Sequence, residues 1–202
     1  MMRKNNSNQV YVIAEIGINH EGSVTKCSKM IKEAAKFGVN AIKLQTINAD
    51  SNYVLNSESY NIFKSSELSP EETADMFKLA KSKGLDILTT AGDIDTIKWV
   101  DKLNPSSWKI SSGLLTHIPV VRYLASLGRP LLISTGMANH DEIDFAIKTA
   151  KSVGNNDISL LQCTSLYPAP FDSLNLKTLQ FFKSKYNCKV GYSGHEAGVI
   201  PS

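Results

Sequence analysis

At 202 residues, with 42% apolar and 20% charged side chains, the chain is long enough for one globular domain with a sizeable core. Its 22 Lys and Arg against 19 acids leave a net charge of only +3. That is too little for a nucleic-acid surface, and no basic run or RNA-type aromatic motif occurs. The opening MMRKNNSNQ carries charge with no apolar core behind it, which argues against a secretory signal, and runs such as VYVIAEIGI are too short to span a bilayer. Cys27, Cys163 and Cys188 are odd in number and lack metal-type spacing, as expected of reduced thiols in a cytoplasm.

In chain order, VYVIAEIG (10–17) predicts a first strand. TKCSKMIKEAAKFG (25–38) follows as a helix, with Met30, Ile31, Ala34, Ala35 and Phe37 apolar, lysines opposite and Gly38 as C-cap. NAIKLQT (40–46) is the second strand. ELSPEETADMFKLAKSKG (67–84) is a helix with Ser69 as N-cap, Pro70 in the first position and Glu72 completing a capping box. The alternation continues through DILTT (86–90), TIKWVDKLN, SSWKIS (106–111), VVRYLASLG and PLLIST (130–135). It closes with DEIDFAIKTAKSVG, ISLLQCT (158–164), LKTLQFFKSKYN and CKVGYS (188–193).

Strands alternating with helices predict a parallel sheet with crossovers. No early strand leads into GxGxxG or a P-loop, as a nucleotide-binding sheet would. Polar residues instead gather near the carboxyl ends of the strands, the active-site edge of a (β/α)8 barrel. About seven strand–helix units are visible, and an eighth strand is due roughly 20–30 residues after the seventh by the spacing of such barrels. The expectation is a TIM (β/α)8 barrel truncated before its last strand, with residues 1–202 forming one incomplete barrel domain.

Glu15, Lys43 and Lys109 stand out because burying an unpaired charge in an apolar strand costs several kcal/mol. Glu15 could form a structural ion pair with either lysine. Alternatively, the lysines together with Ser112, Ser134 and Ser193 could collect a phosphate. Ser111-Ser112-Gly113 and Ser134-Thr135-Gly136 are small-residue turns where backbone N–H groups can approach an anion. His195 is either a structural histidine or a metal ligand. His20 is either a loop residue or an orienter of Glu15; His117 and His140 read as helix-start residues. Cys163 reads as a core thiol without cationic neighbours. Tyr167, ahead of Pro168 and Pro170, either stacks on a sugar or covers the rim.

AEIGINHEG (14–22), KLQT (43–46), ELSPEE (67–72), KISSG (109–113), STGMA (134–138), LLQCTSLYPAP (160–170) and GYSGHEAG (191–198) together resemble the sialic acid (N-acetylneuraminate) synthases, a group that includes the legionaminic and pseudaminic acid synthases. The resemblance implies a TIM barrel followed by an antifreeze-like domain, absent from this chain, in a swapped homodimer. It implies condensation of phosphoenolpyruvate with an N-acyl-mannosamine-type sugar, using Mn2+ or Mg2+. Lys43, Thr90, Lys109, Ser112, Ser134 and Ser193 fall where the family holds phosphoenolpyruvate. Glu15, Gln45 and Tyr167 fall near the sugar, and His195 matches the first of two metal-binding histidines; the ERH-type motif carrying the second is absent here. Leu114 stands where many relatives have an acid that contacts the sugar. Glu15, Lys43 and Lys109 are the expected catalytic residues, and this chain by itself is expected to be weak or inactive. The rival readings are another phosphoenolpyruvate-condensing barrel, a Schiff-base aldolase using Lys43 or Lys109, and a non-catalytic phosphoenolpyruvate binder.

Overall fold

A computed structural model describes residues 10–199, so the charged opening MMRKNNSNQ lies outside the described residues. The chain divides into two units, Met1–Trp108 and Lys109–Ser202.

In the first unit, β1 (Ile13–Gly17), β2 (Ala41–Gln45), β3 (Asp86–Thr90) and β4 (Ser107–Ile110) pair in parallel in chain order, and β4 runs two residues past the unit boundary. Crossovers are made by α1 (Val24–Lys36), α4 (Pro70–Ser82) and α5 (Ile94–Asp101). Ile31, Ile42, Ile87, Ile97 and Trp108 are fully inaccessible. Strands covered on both faces read as continuous apolar runs rather than alternating ones.

The caps match the sequence. Ser69 and Glu72 form a reciprocal capping box ahead of α4, with Pro70 in its first turn. Gly38 follows α1 with φ +74, a left-handed residue just past the helix end. The segment between β2 and α4 departs from expectation, because it holds two further helices, α2 (Ala49–Asn52) and α3 (Glu58–Ser65). Both are short and carry too few apolar residues to show a period. Asn48 and Ser57 cap them, the Tyr53 and Phe63 rings stack at 4.7 Å, and Lys64 bridges to Asp50 at 2.7 Å.

In the second unit, β5 (Leu131–Ser134), β6 (Ile158–Cys163) and β7 (Lys189–Ser193) pair in parallel in chain order. They alternate with α6 (Ile118–Ser126), α7 (His140–Ser152) and α8 (Thr178–Tyr186) around Val121, Leu124, Ile133 and Leu160. His117 caps α6 through its ring, and Asn139 caps α7 immediately before His140, so both histidines sit at helix starts as expected. The fold class is α/β of the (β/α)8-barrel type, with seven strands among the described residues. No described helix is long and apolar enough to cross a membrane.

Candidate active site

Parallel neighbours in register present their side chains to the same face, and residues two apart share it. In the first unit Glu15 pairs with Lys43 and Gln45 with Thr90, so these four residues share one face at the carboxyl ends of β1, β2 and β3. Lys43 Nζ donates to Glu15 Oε2 at 2.6 Å. The lysine side chain is 7% exposed and the carboxylate 48%, so the pair is closed on the amine side and open on the acid side. The ion-pair reading of Glu15 is therefore realised with Lys43.

The chain behind Glu15 is shaped to hold it. A bulge lies between Glu15 and Gly17, and Gly17 has φ +56. A Cβ on Gly17 would lie 3.1 Å from Glu15 Oε1, so glycine leaves the carboxylate its room. His20 is buried, and its Nδ1 accepts from the Gly22 N–H at 3.2 Å. Burial holds its pKa below the ordinary histidine value, the Gly17 hydrogen bond opposing in part. His20 is thus a neutral tie across the loop that leaves Glu15. Thr90 Oγ1 is buried and has no hydrogen-bond partner among the described residues.

In the second unit Lys109 is 6% exposed, and its Nζ donates to the Ile110 carbonyl at 3.3 Å. Ser112 Oγ accepts from the Gly136 N–H at 3.0 Å. Gly136 has no room for a Cβ, which would lie 2.7 Å from the Cys163 carbonyl oxygen and from Ser165 Oγ. Ser134 pairs with Leu161 and Cys163 with Ser193, so Ser134, Cys163 and Ser193 share a face. Ser134 Oγ is buried and, like Thr90 Oγ1, unpartnered. Each unit therefore presents one buried lysine and, at the carboxyl end of a strand, one buried hydroxyl without a partner among the described residues.

Past β7, Gly194 lets the chain turn where a Cβ would run into Tyr192 and Glu196, whose side chains hydrogen-bond at 2.6 Å. The turn delivers His195 to the Tyr167 loop. Tyr167 Oη lies 3.0 Å from His195 Nε2, the rings are 4.2 Å apart, and Ala169 N–H donates to the His195 carbonyl at 2.9 Å. Tyr167 thus covers His195 while remaining 74% exposed. Leu114 lies in a single 3-10 turn, Ser112–Leu114.

Contrary to the expectation of a thiol without cationic neighbours, Cys163 lies close to Lys109 and His195. Burial pushes its pKa up; hydrogen bonding with His195 and Ser112 and the proximity of His195 and Lys109 outweigh that and hold it below the ordinary thiol value. The neighbours come from β4 and the turn after β7, 54 and 32 residues away in sequence, which no local pattern reveals.

For a divalent cation, the described residues bring together no group of three or more His, Cys, Asp or Glu side chains. His195 offers one imidazole, and one imidazole is not a cage for Mn2+ or Mg2+.

Residues 30–202 match the sequence profile of the NeuB family. An uncharacterised protein of Methanocaldococcus jannaschii is 38% identical over 94% of this chain and 56% of its own length. The N,N'-diacetyllegionaminic acid synthase of Legionella pneumophila is 34% identical over 94% of this chain and 58% of its own. The chain thus spans little more than half the length of these relatives. Among solved structures, the N-acetylneuraminic acid synthetase of Leptospira borgpetersenii, crystallised with citrate, superimposes with a TM-score of 0.93 at 31% identity, covering 96% of this chain and 68% of that one.

Proposed function

The chain belongs to the NeuB family, and from that premise we propose that it carries the phosphoenolpyruvate half of a sialic-acid-type synthase. The reaction is condensation of phosphoenolpyruvate with an N-acyl-mannosamine-type sugar. The observation that carries this reading is the recurrence, in each unit, of a buried lysine beside strand ends that hold an unsatisfied hydroxyl: Lys43 with Thr90, and Lys109 with Ser134. A buried hydroxyl without a partner is costly unless something hydrogen-bonds to it, and fixed cations with hydroxyl donors suit a phosphate and a carboxylate.

In the reaction, C3 of phosphoenolpyruvate attacks the aldehyde carbon of the open-chain sugar, and water adds to the cationic C2. The tetrahedral intermediate then expels phosphate by C–O cleavage, giving a nonulosonate. Lys43 and Lys109 neutralise the anionic groups, and their worth lies in charge positioned before the reaction begins. Thr90, Ser112, Ser134 and Ser193 hold phosphoenolpyruvate oxygens. Glu15, open on its acid side and fixed by Lys43 on the other, orients the sugar or takes the proton of the added water. Gln45 and Tyr167 are the further sugar-side residues. His195 would supply one imidazole toward a divalent cation, Mn2+ or Mg2+, whose contribution would be Lewis-acid chemistry at the sugar aldehyde. A homodimer follows from the resemblance alone, and a cytoplasmic setting is supported by three free thiols.

Phosphate release that requires both phosphoenolpyruvate and N-acetylmannosamine is the expected result, at a low rate for residues 1–202 by themselves, with a further loss on the order of 10²–10³-fold in Lys109→Met. Phosphoenolpyruvate binding without release, with Mn2+ supplied, would reduce the chain to a binder. A borohydride-trapped pyruvate adduct on Lys43 or Lys109 would replace the proposal with an imine aldolase.

A further inference from the structure

The turn that leaves β3 is built around a side chain from α2 that the chemistry above does not use. Thr90 ends the strand, and the chain continues through the buried Ala91 and Gly92 to Asp93, the N-cap of α5. A Cβ on Gly92 would overlap Asn52 Oδ1 and lie 2.8 Å from Asn52 Cγ; the three atoms nearest to it all belong to that carboxamide. Gly92 is not left-handed, so the approach of Asn52, rather than the backbone, excludes a side chain there.

Asn52, the last residue of α2, is itself held in place. Its Nδ2 donates to the Asn48 carbonyl at 2.7 Å, within its own turn, and to Asp93 Oδ2 at 3.2 Å. The other Asp93 oxygen, Oδ1, accepts from the Thr96 N–H at 2.8 Å. One carboxylate thus ties Asn52 to the start of α5. On the strand side, the Thr90 carbonyl accepts from the Thr46 N–H at 2.9 Å. The backbone around Thr90 is therefore held from β2 before the turn and from α2 after it. Thr90 Oγ1 has no partner of its own among the described residues, so its position rests on that backbone.

We propose that Asn52 is a positioning residue: pressed on Gly92 and bonded to Asp93, it fixes the turn after β3 so that the Thr90 hydroxyl meets phosphoenolpyruvate. A hydrogen bond weakens steeply as its donor shifts or tilts, and a binding group is only as exact as the residues that support it. The role rests on the reading of Thr90 as a phosphoenolpyruvate contact. Asn52 acts through Thr90, not by touching the substrate.

Calorimetric titration with phosphoenolpyruvate, each variant paired with a thermal melt, tests this. Asn52→Ala should weaken binding about tenfold. Thr90→Val/Asn52→Ala should bind no more weakly than Thr90→Val, because both changes remove one effect; a side chain that only stabilised the fold would give additive losses. Gly92→Ala tests the contact without substrate: its methyl group should lower the melting temperature of the parent and leave that of Asn52→Ala unchanged. If Asn52→Ala does not fold, Asn52→Asp, which keeps the shape but sets a second carboxylate against Asp93, is read in the same way. Unchanged phosphoenolpyruvate binding in a folded Asn52 variant overturns the proposal and leaves the synthase reading intact. Additive losses in the double variant, or a Gly92→Ala cost that is equal in both backgrounds, do the same. A parent that binds no phosphoenolpyruvate overturns the synthase reading, and the role of Asn52 with it.

Discussion

Thr90 and Ser134 hold hydroxyls that are buried and unsatisfied, a state that lowers stability and helps only when a ligand arrives. Thr90→Val and Ser134→Ala should therefore leave the unliganded chain as stable as before, or more stable by up to about 1 kcal/mol, while weakening phosphoenolpyruvate binding. Thermal melts paired with binding titrations test this, and a destabilised variant with unchanged binding would show the hydroxyls to be structural. His20 makes a different prediction. Burial lowers its pKa below 6.5, so the folded state favours the neutral ring. The stability this contributes is present above 6.5 and is lost as pH falls through the folded-state value. Urea midpoints measured from pH 7.5 down to 5 should fall for the parent and fall less for His20→Gln. At this scale Glu15, Lys43 and Lys109 were legible as charge in apolar strands. The depressed Cys163 was not, because its neighbours are brought to it from distant strands.

At the scale of elements, caps and periods carried the reading where apolar residues were dense enough to repeat. Ser69→Ala removes the side-chain half of a reciprocal box ahead of α4, the bond from the Glu72 N–H, and should cost about 1 kcal/mol by denaturant unfolding. Gly194→Ala acts on a turn rather than a helix. Its methyl group would enter the space of Tyr192 and Glu196, so the His195 ring should leave Tyr167. Histidine chemical shifts followed through an NMR titration would report that movement, and unchanged shifts would refute it. α2 and α3 escaped the sequence reading for the opposite reason: four and eight residues long, they are held by Tyr53–Phe63 stacking and by Lys64 rather than by an apolar stripe.

For the whole molecule, the alternation of apolar runs with capped helices leads to the barrel class, because parallel strands need crossovers and bury both faces. Leu124 is completely buried on α6, and Leu124→Ala should lower unfolding free energy by about 2–5 kcal/mol. A loss below 1 kcal/mol would mean that the second unit tolerates a cavity that a packed core does not. The sequence by itself determined the fold class, the order of its elements and the charged residues at the strand ends, since period, capping and burial cost act over a few neighbours. Only tertiary structure decided that Lys43 pairs with Glu15, that Tyr167 rests on His195, and that His195 reaches Cys163. Those outcomes depend on which side chains meet across strands and helices remote in sequence, and distance in space has no signature in local pattern.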